Sequence, residues 1–142
     1  MIERFQAFVT GISTCYKSIQ RIKAMEMTEF GLKGAHAMCL MFLHHNPQGL
    51  TAAQLCQLCA EDKAAISRTV AQLVEKGYIL AGEKKYRAQL MLTETGRELA
   101  AKMDKVIEQW VGNGGDGLTE EERSAFYTAL ELISGNLRHG MA

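Results

Sequence analysis

Two helix-start signals in close succession, a glycine stop and a charged hairpin constrain this chain more than anything else in it. Thr51-Ala52-Ala53-Gln54 places a hydroxyl residue at an N-cap and a glutamine at the third helical position. In that arrangement each side chain satisfies a backbone N–H of the other residue, and it predicts a short helix over 52–59. A tight turn at Ala60-Glu61 leads to Asp62, whose carboxylate can cap a second helix over 63–76. Gly77 follows where a left-handed C-cap belongs. Tyr78–Ala81 and Ala88–Leu92 are β-prone runs, and Gly82-Glu83-Lys84-Lys85-Tyr86-Arg87 between them reads as a charged hairpin.

The flanking sequence is helical. Phe5, Phe8, Val9, Ile12, Cys15, Tyr16, Ile19 and Ile22 recur at three- and four-residue steps, predicting a helix over 3–27. Phe30-Gly31-Leu32-Lys33-Gly34 breaks it. A second helix, about 34–45, is apolar nearly all round, which predicts burial on several sides. Asn46-Pro47-Gln48-Gly49 is a turn. Beyond the hairpin, Thr93 can cap a helix over 94–111 with Leu99, Met103, Val106, Ile107 and Trp110 in register. Gly112–Gly117 reads as the most flexible segment. Thr119-Glu120-Glu121-Glu122 is a further capping box, opening a helix to about Leu137 with Phe126, Ala129, Leu130, Ile133 and Leu137 inward. The order is ααααββαα. With 142 residues, 47% of them apolar, and a single proline, the chain is expected to be one mainly α-helical domain over 1–142.

Two short capped helices followed by a hairpin are the plan of a winged helix-turn-helix. The first helix props the second, the second presents its free face to the major groove, and the hairpin reaches the neighbouring backbone or minor groove. On the 63–76 helix the inward stripe is Ile66, Thr69 or Val70, Leu73 and Val74. The opposite face carries Lys63, Ala64, Ser67, Arg68, Ala71 and Gln72. The expected DNA-binding residues are therefore Lys63, Ala64, Ser67, Arg68 and Gln72 on the helix and Lys84, Lys85 and Arg87 on the hairpin. The formal net charge is zero, so any electrostatic footprint is local. Lys63, Arg68, Lys76, Lys84, Lys85, Arg87 and Arg97 outweigh Glu61, Asp62, Glu75, Glu83 and Glu94 in the middle of the chain, whereas the segment after Arg97 is acidic.

Several stretches resemble the MarR family of regulators. They are Leu50-Thr51-Ala52-Ala53-Gln54-Leu55, Glu61-Asp62-Lys63-Ala64-Ala65-Ile66-Ser67-Arg68, Leu73-Val74-Glu75-Lys76-Gly77-Tyr78-Ile79 and Leu92-Thr93-Glu94-Thr95-Gly96, with Leu118–Arg123 similar to that family's last-helix start. The resemblance runs from about residue 30 to the end. It implies dimerisation helices at 3–30 and 112–142, a winged helix-turn-helix lobe at 34–93 and a connecting helix at 94–111. It also implies a homodimer on a pseudo-palindromic double-stranded DNA operator, acting as a repressor under the control of a small-molecule effector or, in some branches, of cysteine oxidation. A pocket at Cys15, Tyr16, His36 and Phe42 follows from family geometry. The chain departs from the pattern where the wing's usual Asp is missing from Lys84-Lys85-Tyr86-Arg87, where Lys33 stands at a usual hydroxyl cap, and where Ala64 replaces a usual hydroxyl.

Other constellations read as packing. Cys56 and Cys59 fall inside a predicted helix, and i, i+3 neighbours lie further apart than a disulfide needs. His36 and Cys39, with Cys15 from the first helix, have metal-ligand chemistry but no second pair at ligand spacing, so no metal or other cofactor is expected. Adjacent His44 and His45 are expected to point different ways and to meet the helix dipole. No catalytic fingerprint occurs, so no enzyme is expected. Four cysteines without a signal peptide or an 18-residue apolar run suit a cytoplasmic protein with free thiols. Besides the DNA-binding regulator, a thiol-based redox sensor and a winged-helix module that binds protein instead of DNA fit the sequence.

Overall fold

The computed structural model describes residues 1–80 and 89–140. These divide into two compact units, Met1–Lys105 and Val106–Ala142. Among the described residues there are six helices: α1 (Ile2–Thr28), α2 (Gly34–His44), α3 (Ala52–Cys59), α4 (Lys63–Glu75), α5 (Glu94–Gly114) and α6 (Glu120–Gly140).

In the first unit α2 is the hub, packed on α1, α3 and α4. That is the outcome its all-round apolarity demands, and His36, Ala37, Cys39, Leu40 and Leu43 are all buried. Leu55 of α3, Ile66 and Leu73 of α4, and Leu99, Ala100 and Met103 of α5 complete the core with Met27, Leu32, Ile79 and Leu92. The caps hold the helix starts where the sequence puts them. Thr51 Oγ1 accepts from the Gln54 N–H while Gln54 Oε1 accepts from the Thr51 N–H. Asp62 Oδ1 accepts from the Ala65 N–H at 2.7 Å. Thr93 Oγ1 accepts from the Gly96 N–H and donates to the Gly77 carbonyl, so one hydroxyl starts α5 and ties it to the end of α4.

The β-prone runs meet as antiparallel bridges. Ile79 pairs with Leu92, and Leu50 pairs with Leu90. Leu50, read from sequence only as part of a helix lead-in, thus supplies a third extended segment. Gly49 before it has φ +95° and lies against Leu90, where a Cβ would meet the carbonyl oxygen at 2.9 Å. The hairpin tip with Lys84, Lys85 and Arg87 lies outside the described residues.

In the second unit, α6 opens on the expected box, with Thr119 Oγ1 accepting from the Glu122 N–H and Glu122 Oε2 from the Thr119 N–H. The glycine-rich segment does not loosen where expected: α5 continues through Gly112-Asn113-Gly114. An interior glycine costs only about 1 kcal/mol relative to alanine, less than the helical hydrogen bonds it leaves intact. The chain turns instead at Gly117, φ +87°, with Arg123 Nη2 closing the turn on the Gly115 carbonyl.

The N-terminal part of α1 buries little. Phe5, Phe8, Val9, Ile12, Tyr16 and Ile19 are exposed, and so are Phe126, Tyr127, Leu132, Ile133 and Leu137 of α6. Among the described residues no helix is long and apolar enough to cross a membrane.

Candidate nucleic-acid interface

Helix α4 is anchored on one side and free on the other. Ile66, Thr69 and Leu73 are buried, while Lys63, Ala64, Ser67, Arg68, Ala71 and Gln72 are exposed along the opposite face. Asp62 fixes the helix start, and the sharp Ala60 turn (φ 54°, ψ 41°) sets its angle to α3. Among the described residues neither Lys63 nor Arg68 enters an ion pair. Both cations are free to meet a phosphate, the contact that dominates protein–DNA affinity.

Gln72 is not free in the same sense. His36 Nδ1 accepts the Lys33 N–H at 2.7 Å, the reciprocal half of a capping box, while the His36 N–H that a hydroxyl cap would take bonds to the Lys33 carbonyl. The proton therefore sits on Nε2, which donates to Gln72 Oε1 at 2.7 Å. A buried histidine with both nitrogens occupied orients a residue of the exposed face.

A cleft of about 390 Å³ opens beside this bond, lined among others by Lys23, Lys33, His36, Cys59, Arg68 and Gln72. Of the residues expected to form a pocket, only His36 lines it. Cys15 and Tyr16 stand exposed on α1, and Phe42 packs half-buried against the core. The cleft's polar rim comes from α1 and the α2 start, and the sequence signal for it would have been Lys23 and Lys33 on otherwise apolar stretches.

All four cysteines are free thiols. Cys39, fully buried on α2, donates its thiol to Cys59 at the end of α3. That hydrogen bond first, and then burial, pushes the Cys39 thiol far up. The same bond, helped by the Lys23 ammonium, holds Cys59 below the ordinary thiol range, although burial and Glu61 oppose it. Lys23 is itself lowered by burial. Cys15 is exposed and does not approach His36 and Cys39. Among the described residues no group of three His, Cys, Asp or Glu side chains could hold a metal ion.

His44 and His45 do not point apart. Both Nε2 atoms reach Asp104 Oδ2, at 3.4 and 3.0 Å. His44 ends α2 and His45 is its C-cap with ψ near 1°. The backbone has left the helix by then, so the second ring swings back to the side of the first and both meet α5.

The MarR family model matches residues 30–84, the span of α2, α3, α4 and the start of the hairpin. Solved structures share the fold over nearly the whole chain. A MarR transcriptional regulator from Methanosarcina mazei Go1 is 22% identical, with a TM-score of 0.79 over 92% of this chain and 89% of that one. A Listeria monocytogenes protein complexed with 26mer DNA is 23% identical, with a TM-score of 0.83 over 91% and 87%. The S. aureus MepR protein, also complexed with DNA, is 17% identical, with a TM-score of 0.77 over 89% and 94%.

Proposed function

We propose that the chain is a MarR-type regulator, a sequence-specific DNA-binding protein acting as a homodimer and a ligand-responsive repressor, a reading supported by the family-model match over residues 30–84 and the shared fold. The observation that carries this reading is the free face of α4, where Lys63, Ser67 and Arg68 stand exposed on a helix anchored by Ile66, Thr69 and Leu73. A helix so mounted fits the major groove. Arg68 reads base edges or clamps phosphate, Lys63 and Ser67 hold the backbone near the helix start, and Ala64 lets the helix approach closely. Lys84, Lys85 and Arg87 extend the contact along the wing.

The dimer reading rests on the apolar stripes of α1 and α6, each exposed in the single chain. Each Phe or Ile fully buried by a second copy contributes about 1.5–3 kcal/mol, and two copies set two α4 helices on half-sites of a pseudo-palindromic operator. The effector reading rests on the cleft. Arg68 and Gln72 of α4 line it together with Lys23 and Lys33, so a small molecule held there touches the DNA-reading helix directly.

The test is binding of the purified full chain to the DNA upstream of its own reading frame, with random DNA as competitor, alongside its mass in solution. The reading expects competitor-resistant binding by a species of twice the chain mass. Binding to no DNA, with capture of a protein partner instead, overturns it in favour of a protein-interaction module.

A further inference from the structure

Two hydrogen bonds in series carry a direction from the backbone of one helix to the exposed side of another. The Lys33 N–H is a peptide donor and can only donate. It lies 2.7 Å from His36 Nδ1, which therefore accepts. A ring nitrogen that accepts carries no proton, so the ring's proton is on Nε2, 2.7 Å from Gln72 Oε1. A donor on the ring needs an acceptor opposite. The Gln72 amide accordingly turns its oxygen to the ring and keeps its NH₂ group for other partners. His36 is only 3% exposed, on a helix packed into the core, so the ring is held where it stands. Gln72 is exposed, one helical turn beyond the exposed Arg68.

A glutamine without such a neighbour has no fixed direction. Its amide can turn over, and its common contact in the major groove is bidentate to adenine, accepting from N6 and donating to N7. With its oxygen engaged by His36, Gln72 cannot complete that pair. Guanine instead shows two acceptors, O6 and N7, on the same edge, whereas adenine shows one acceptor beside a donor and cytosine shows a donor.

We propose that His36 is a specificity-determining positioning residue: by holding the Gln72 oxygen it makes position 72 a donor-only reader that selects guanine over adenine in the operator. This role rests on the DNA-binding reading of α4 above and deepens it. His36 touches no base and acts through Gln72, and the polarity it passes on originates in the Lys33 peptide.

The test is selection of sites from a randomised duplex pool by the full chain, for the natural protein, Gln72→Ala and His36→Asn, with thermal melting to establish that each is folded. Asparagine at this position places an amide oxygen near where Nδ1 stands, so the Lys33 N–H keeps an acceptor while nothing reaches Gln72. The natural chain should enrich sites in which one base pair of each half-site prefers guanine over adenine by at least about fivefold, the low end of what a good base contact discriminates. Gln72→Ala should flatten the preference at that pair alone. His36→Asn should take adenine there at least as well as guanine, with the rest of the site unchanged. Adding Gln72→Lys to His36→Asn, which supplies a donor that needs no orienting, should bring guanine back. A natural chain that prefers adenine at that pair, a Gln72→Ala chain with every preference intact, or a His36→Asn chain that loses affinity evenly over all sequences would each overturn the role, the last by marking His36 as structural only. A folded natural chain that enriches no site contradicts the DNA-binding reading itself, which sets that failure apart from the others.

Discussion

His36 Nε2 lies 2.7 Å from Gln72 Oε1, joining α2 to the exposed face of α4 through a buried ring whose other nitrogen takes the Lys33 N–H. The bond sets what Gln72 can offer DNA. Its carbonyl oxygen accepts from His36, which leaves the NH₂ group as the donor for a phosphate or a base acceptor. Bidentate reading of adenine would need the amide oxygen as well. A double-mutant cycle on His36→Ala and Gln72→Ala should return a coupling of about 0.5–1.5 kcal/mol in chemical denaturation. Gln72→Glu keeps the acceptor for His36 while turning a negative charge toward DNA. It should leave stability nearly unchanged and weaken DNA binding at least about tenfold, which is ~1.4 kcal/mol. Equal losses in both assays would show that Gln72 only braces the fold.

Gly96, in the first turn of α5, lies so close to Tyr78 that an added methyl would overlap the Tyr78 carbonyl oxygen. Backbone, not a flexible side chain, stands in the way. Gly96→Ala should therefore destabilise the chain by about 1–3 kcal/mol or more, read as a drop in the denaturant midpoint. Gly112→Ala, with nothing near its Cβ, should be neutral or stabilising by several tenths to about 1 kcal/mol.

Cys59 should alkylate with a pH midpoint below the ordinary thiol value of 9.0, because its folded pKa is lowered. The thiolate is populated above that midpoint and lost as pH falls through it. Cys39→Ala removes the hydrogen bond that contributes most and should move the midpoint up; Lys23→Met removes the nearby cation and should move it up less. Iodoacetamide labelling followed by peptide mass against pH measures all three, and an unmoved midpoint in Cys39→Ala would break the assignment.

What was legible in the sequence was local. Thr51, Asp62, Thr93 and Thr119 announce their helices because a cap is a contact within three residues, and the structure makes all four bonds. The α4 face was legible because a 3.6-residue period sorts Ile66 and Leu73 from Lys63 and Arg68. The contacts between elements were not. His36–Gln72, Cys39–Cys59 and the two histidines on Asp104 each join residues far apart in sequence or at a helix end where the period stops. The i, i+3 spacings of Cys56 with Cys59 and of His36 with Cys39 read only as packing, and the polar partner of His36 stands on the helix packed alongside. The continuation of α5 through Gly112 and Gly114 was missed because glycine content signals weakness rather than a stop; the stop is Gly117, where φ is positive.

The most direct test is the salt dependence of binding to the upstream DNA, measured for the natural chain and for Lys63→Ala and Arg68→Ala. If α4 docks in the major groove with phosphates neutralised around it, log affinity falls linearly with log salt, with a slope of about −0.9 per phosphate contact. Lys63→Ala should lower that slope by about one, and Arg68→Ala should lose about 1–3 kcal/mol at the specific site if it reads a base. Affinity independent of salt, or unchanged in both variants, would contradict the assignment of α4 as the DNA-reading helix.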